Sequence, residues 1–262
     1  MKTRTCLLSS VGAIVLAASS VIAGGVMPAT AASGSPINKY VALGDSYAAG
    51  QGAGPYLNSC LQSTNGYPAL LGAVKGTNLL RNASCSGATT GDVMTTQLSS
   101  LNRGTTLVTL TVGGDDLNVA AIEATCTEAP IDCAAAISTA EGQLSGLGAS
   151  LATTYASIAA AAPNARILVT GYPRLFDIGV SNPDGLYSLI NAATDALNGT
   201  IYTAVSAAQG AGAKVDYVDV TGRFQSHEMN DPDSWINLTG TDAFHPTAAG
   251  YVAYESALQA AL

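Results

Sequence analysis

Short apolar, β-branched runs alternate with longer helical stretches along this chain, and that alternation leaves few folds open. Residues 39–43, 79–83, 105–112, 166–171 and 213–220 read as strands, and residues 67–74, 134–162, 186–209 and 246–261 read as helices. The run Thr105-Thr106-Leu107-Val108-Thr109-Leu110-Thr111-Val112 is apolar or β-branched on both faces, as a central parallel strand must be, and Gly113-Gly114 ends it. Between 134 and 162, Ile137, Leu144, Leu147, Leu151, Tyr155 and Ile158 recur at steps that fit one helical face, and Pro163 stops the helix. Parallel strands joined by helices demand right-handed crossovers, so the expected fold is a three-layer α/β/α architecture with a parallel sheet of about five strands.

At the N-terminus Lys2 and Arg4 precede an apolar segment, and small residues lead to Ala29-Thr30-Ala31, an A-x-A type cleavage site. Residues 1–31 therefore read as a secretory signal peptide. The segment is too rich in Ala, Ser and Gly to supply the roughly 20 strongly apolar residues of a membrane span. Residues 32–262 are long enough for one well-packed α/β domain and short for two, and no linker or internal repeat interrupts them. Loss of Lys2 and Arg4 takes the net charge from −8 to −10. A domain that acidic does not hold nucleic acid by counterion release, and it lacks a polybasic surface for anionic lipid. Stable membrane insertion is not expected, and the domain is expected to be a monomer. Cys60, Cys85, Cys126 and Cys133 remain, an even number in a secreted chain, so disulfides are expected; three pairings are possible and the sequence alone does not choose. No histidine stands at ligand spacing from these cysteines, so no metal site is expected.

The chemistry centres on Val41-Ala42-Leu43-Gly44-Asp45-Ser46, where an apolar run breaks into a tight turn carrying a serine. Ligands gather outside the carboxyl ends of strands in open α/β sheets, so Ser46 is placed to act as a nucleophile. A bland reading makes Ser46 a turn or cap residue, Asp242 a helix cap and His245 a loop histidine. The blocks that follow favour chemistry: Ser84-Cys85-Ser86-Gly87, then Gly113-Gly114-Asp115-Asp116, then Asp242-Ala243-Phe244-His245-Pro246. His245 suits a general base, and Asp242 lies three residues before it. Acyl transfer also needs donors for an oxyanion, and the backbone N–H groups of Ser46 and Gly87 are the candidates.

From about Tyr40 to the C-terminus this ordered set resembles the SGNH hydrolases, also called the GDSL lipase and esterase family, and in particular the secreted actinobacterial lipases. The resemblance implies flavodoxin-like strand order, a small-molecule or lipid ester as substrate, Ser46 as nucleophile, His245 as base and Asp242 orienting it, with no metal or organic cofactor. It implies bridges Cys60 to Cys85 and Cys126 to Cys133. It also implies a third oxyanion donor, an asparagine amide, at the position held here by Asp115. An ionised carboxylate cannot donate, whereas a protonated one can, as in the oxyanion hole of ketosteroid isomerase. Other readings are a phospholipase or polysaccharide deacetylase of the same fold, or a binding protein weakened catalytically at Asp115. The low aromatic content, 6%, with Trp235 alone among tryptophans, speaks against a long sugar-stacking cleft. Tyr47 and the apolar residues after Asp116 fit an acyl pocket or the core. His227 fits a structural or rim position.

Overall fold

The structure is a computed structural model that describes residues 37–262. The expected signal peptide lies outside the described residues. In chain order the elements are β1 (Asn38–Gly44), α1 (Ser46–Ala49), α2 (Tyr67–Ala73), β2 (Thr77–Asn82), α3 (Thr90–Asp92), β3 (Leu107–Thr111), α4 (Val119–Glu128), α5 (Pro130–Glu141), α6 (Leu144–Ala161), β4 (Arg166–Thr170), α7 (Leu186–Gly210), β5 (Val215–Val218) and α8 (Ala248–Ala260). The five strands are all parallel in the order β2-β1-β3-β4-β5, so the chain winds outward in both directions from β1 and β3. Loops after β1, β2, β3 and β4 consequently leave from the same edge of the sheet.

Every residue of β3 is buried, because both of its faces are covered. On one face Val108 and Leu110 pack with Leu147, Leu151, Tyr155 and Ile158 of α6 and Ile201 of α7. On the other, Tyr40, Leu107 and Leu168 pack with Tyr67 and Leu71 of α2 and Tyr251 and Tyr254 of α8. Threonines in these strands bring hydroxyls into the core, where each needs a partner. Tyr40 Oη lies 2.6 Å from Thr109 Oγ1, Tyr67 Oη 2.9 Å from Thr111 Oγ1, and Thr111 Oγ1 2.5 Å from Thr170 Oγ1. The buried hydroxyls thus pair with one another just beneath the edge where the loops leave.

The single helix expected over 134–162 is in fact two, α5 and α6, parted at Gly142-Gln143. Glycine is about 1 kcal/mol worse than alanine inside a helix, and the Gly142 N–H tightens the last turn by reaching Ser138 and Ala140 carbonyls. α4 was not expected at all, and β2 begins two residues before its expected start. The last helix starts at Ala248 rather than at Pro246, with Thr247 as its N-cap accepting from Gly250 N–H. Pro246 instead forms an isolated antiparallel bridge with Ile236.

Candidate active site

Gly44 closes β1 with φ of +128°, and a Cβ there would collide with the Thr111 carbonyl of β3, so only glycine fits this turn. The Gln97 side chain holds the turn from both sides, accepting from Gly44 N–H at 2.7 Å and donating to Gly44 O at 2.8 Å. Asp45 then caps the short α1, accepting from the N–H groups of Tyr47 and Ala48. Ser46, the first residue of α1, is thereby turned toward the loop edge. Its Oγ lies 2.8 Å from Nε2 of His245.

Asp242 does not take the place expected of it. The other ring nitrogen, Nδ1 of His245, meets the backbone carbonyl of Ala243 at 3.0 Å. Asp242 ends a one-turn 3₁₀ segment, Gly240–Asp242, and its carboxylate stands beside the Tyr56 hydroxyl, whose pKa burial and that carboxylate push up to about 12. A carbonyl accepts the Nδ1 proton and fixes the tautomer, leaving the Nε2 lone pair for Ser46. It brings no full negative charge. Burial holds His245 below its ordinary pKa, offset in part by the Ala243 carbonyl and the nearby charge of Asp242.

The histidine loop is fixed at several points. Asn237 donates its backbone N–H and its amide to His245 O, both at 2.9 Å, and Tyr47 Oη donates to Phe244 O at 2.6 Å. Gln51 joins this loop to the one after β2, since its amide donates to Thr241 O at 3.0 Å while its Oε1 accepts from Ser86 Oγ at 2.6 Å. Gly87 follows with φ of +79°, a conformation that suits glycine. Among the described residues neither the Ser46 nor the Gly87 N–H has an acceptor, and both residues border one cavity of about 930 Å³.

The turn after β3 borders the same cavity. Asp116 is taken up by Thr90, accepting from its N–H at 2.9 Å and from its hydroxyl at 2.6 Å. Asp115 is left facing the cavity, and burial, with the charges of Asp116 and Asp92, pushes its pKa up to about 6. Glu123 of α4 is pushed to about 8 by burial and the charge of Asp115. Tyr172, after β4, joins two of these turns: its Oη accepts from Gly114 N–H at 3.0 Å and donates to Asp45 Oδ2 at 2.5 Å. Asp45 itself is raised to about 8, by burial first and Asp115 second.

Sequence reasoning brought Ser46, Gly87, Asp115 and His245 to one place, and missed Gln51, Gln97, Tyr172 and the Ala243 carbonyl. His227 stacks on Trp235 with centroids 3.5 Å apart and its Nδ1 near Asp233. It is not among the residues bordering the cavity. The cysteines pair as Cys60 with Cys85 and Cys126 with Cys133.

A serine hydroxyl on an imidazole, beside two unengaged N–H groups at the carboxyl edge of a parallel sheet, is the arrangement of a serine hydrolase. Residues 42–253 match the model of the GDSL-like lipase/acylhydrolase family. The chain is 36% identical to Lipase 1 of Streptomyces coelicolor, over 94% of each chain. Among solved structures it is similar to the extracellular lipase of Streptomyces rimosus, with TM-score 0.80 and 36% identity over 86% of this chain and 100% of the other. It is also similar to phospholipase A1 of Streptomyces albidoflavus, with TM-score 0.79 and 35% identity over 86% and 99%. This chain belongs to the GDSL-like lipase/acylhydrolase family, and it is an ester hydrolase.

Proposed function

We propose that the chain is a secreted serine esterase or lipase that cleaves carboxylic esters through an acyl-enzyme, with Ser46 as nucleophile and His245 as base. The contact of 2.8 Å between Ser46 Oγ and His245 Nε2 carries this reading. As Ser46 Oγ attacks the ester carbonyl, His245 Nε2 takes its proton, and the carbonyl oxygen becomes an oxyanion on the N–H groups of Ser46 and Gly87. The tetrahedral centre collapses, the alcohol leaves with the proton from His245, and water repeats the sequence to release the acid. The Ala243 carbonyl orients the imidazole, and Asp242 assists only through its charge. Asp115 in its acid form is the third donor. Secretion is supported by the composition of residues 1–31 and by the two bridges, which persist in oxidising surroundings.

A panel of p-nitrophenyl esters tests the reading with the wild type and with Ser46→Ala. The wild type is expected to turn over at least one ester, and the variant to lose several orders of magnitude in rate while remaining folded. A folded wild type that hydrolyses none of them would overturn the reading in favour of a binding protein.

A further inference from the structure

Gln51 takes no part in the chemistry itself, yet it touches the nucleophile segment, the oxyanion loop and the histidine loop. It is 7% exposed and borders the cavity. Its backbone is held on both sides: Gln51 N–H donates to Ser46 O at 3.1 Å, and Gln51 O accepts from Tyr251 Oη of α8 at 2.8 Å. The next residue leaves no slack against the histidine loop, because a Cβ at Gly52 would strike Pro246 O, the Asn237 amide and His245 Cβ. Asn237 fastens the same contact, since its amide donates to Gly52 O at 3.0 Å and to His245 O at 2.9 Å. From this fixed base the Gln51 side chain reaches two other loops, Nε2 donating to Thr241 O at 3.0 Å and Oε1 accepting from Ser86 Oγ at 2.6 Å. Thr241 O can only accept, so the amide nitrogen must face it, and the amide oxygen is left for the Ser86 hydroxyl. Bridging an acceptor and a donor needs a side chain that offers both. Glutamate lacks the donor, and methionine, of similar length, offers no donor and only a weak acceptor.

We propose that Gln51 is a positioning residue that fixes the oxyanion donor Gly87 and the base His245 relative to each other, with Ser46 as their common reference. The assignment rests on the proposed function and adds a residue to its machinery. Each of the two side-chain contacts lies one step from a reacting group. The peptide unit between Ser86 and Gly87 carries the Gly87 N–H, so a bond that holds the Ser86 side chain limits how far that N–H can turn. Thr241 stands in the one-turn segment Gly240–Asp242, two residues before the Ala243 carbonyl that meets His245 Nδ1. The attack on the ester needs both groups at once, since the oxyanion must meet Gly87 N–H while His245 takes the proton from Ser46. A misplacement of about 1 Å in such an array costs on the order of 10² in rate. Substrate bound before the attack uses neither group. Loss of the amide therefore acts on kcat and leaves KM nearly unchanged.

The experiment measures kcat and KM for p-nitrophenyl butyrate and the inhibition constant of butylboronic acid. It compares the wild type with Ser86→Ala, Ser86→Thr, Gln51→Met, and Gln51→Met combined with Ser86→Ala. Butylboronic acid takes Ser46 Oγ onto boron and sets an oxygen where the ester oxyanion forms, so its affinity reports the oxyanion donors without turnover. Rates are taken well below the unfolding midpoint of each variant, so that lost stability alone does not move kcat. Gln51→Met is expected to lower kcat by about 10²-fold with KM within about threefold. Ser86→Ala is expected to lower kcat and the affinity for butylboronic acid each by about tenfold, less than outright loss of a donor. Ser86→Thr keeps a hydroxyl and is expected to restore both. Because the Ser86 hydroxyl acts through Gln51, adding Ser86→Ala to Gln51→Met is expected to cost nothing further. If Gln51→Met does not fold, the half-buried Ser86 variants decide the matter by themselves. Unchanged kcat in folded Gln51→Met or Ser86→Ala overturns the proposal. So does a loss confined to KM, an equal loss from Ser86→Ala in both backgrounds, an unchanged affinity for butylboronic acid in Ser86→Ala, or a loss that Ser86→Thr does not relieve. All of these compare variants with a wild type that turns over the ester. Failure of the proposed function would show in the wild type itself, as turnover of no ester.

Discussion

His245 Nδ1 meets the Ala243 carbonyl and not the Asp242 carboxylate, and the consequence is measurable. An aspartate hydrogen-bonded to a catalytic histidine is worth about 10⁴ in kcat, whereas Asp242 reaches His245 only through its charge and its turn. Asp242→Ala is therefore expected to cost about tenfold or less in kcat; a loss near that of His245→Ala would show the carboxylate to be the orienting group. Asp115 gives the second residue-scale prediction. Burial holds His245 below its ordinary pKa, so the rise of kcat/KM as His245 loses its proton is expected at lower pH than for an exposed histidine. If Asp115 donates as proposed, its loss of a proton about pH 6 removes that donor, so the rate is expected to fall as pH rises through that value. Asp115→Asn keeps a donor at every pH, so it should remove the alkaline fall and raise the rate there by up to roughly 10²–10³. Profiles of the same shape for both proteins would exclude the acid form as a donor. Ser46 and His245 were legible because each is a distinctive residue type in a distinctive setting. The Ala243 carbonyl was not, since a backbone carbonyl has no residue identity. Gln51, Gln97 and Tyr172 were hidden for another reason: their partners lie 35 to 190 residues away along the chain.

Between elements, the loops that carry the site are held together by side chains, one bridge and backbone hydrogen bonds from loop to loop. Cys60 and Cys85 fasten the loop after α1 to the loop that presents Gly87, where Ser86 N–H also donates to Cys60 O at 3.1 Å. Replacing both cysteines by serine is expected to cost on the order of 2–4 kcal/mol of stability. It should also lower kcat at temperatures where the protein stays folded, because Gly87 N–H loses its placement. Unchanged kcat in a folded variant would mean that Gly87 is held without the bridge. The five strands were readable because buried parallel strands are short, apolar and closed by turn residues. The break at Gly142 was not, since Ile137 and Leu144 keep a seven-residue step across it and the helical face continues in register. α4 escaped because its inner face is only Val119, Ile122 and Cys126, with most of the rest of the helix turned to solvent or to the cavity.

Over the whole molecule, the strand order gathers four separate loops on one edge, and the histidine loop before α8 closes over them. Charged residues are 11% of the chain, and three of the acidic ones at this cavity, Asp45, Asp115 and Glu123, have their pKa values raised, by burial first and then by the charge of acidic neighbours. The sequence carried the order of the blocks, and physical convergence came from β1 and β3 lying side by side with β2 and β4 flanking them. The central claim is that Ser46 becomes acylated. It is tested most directly by treating the active protein with an organophosphate p-nitrophenyl ester and mapping the adduct by mass spectrometry. One adduct per chain is predicted, on the peptide containing Ser46, appearing in step with loss of ester hydrolysis and slowed by a competing ester substrate. Full inactivation with Ser46 unmodified, or unchanged ester hydrolysis with Ser46 fully modified, would contradict it.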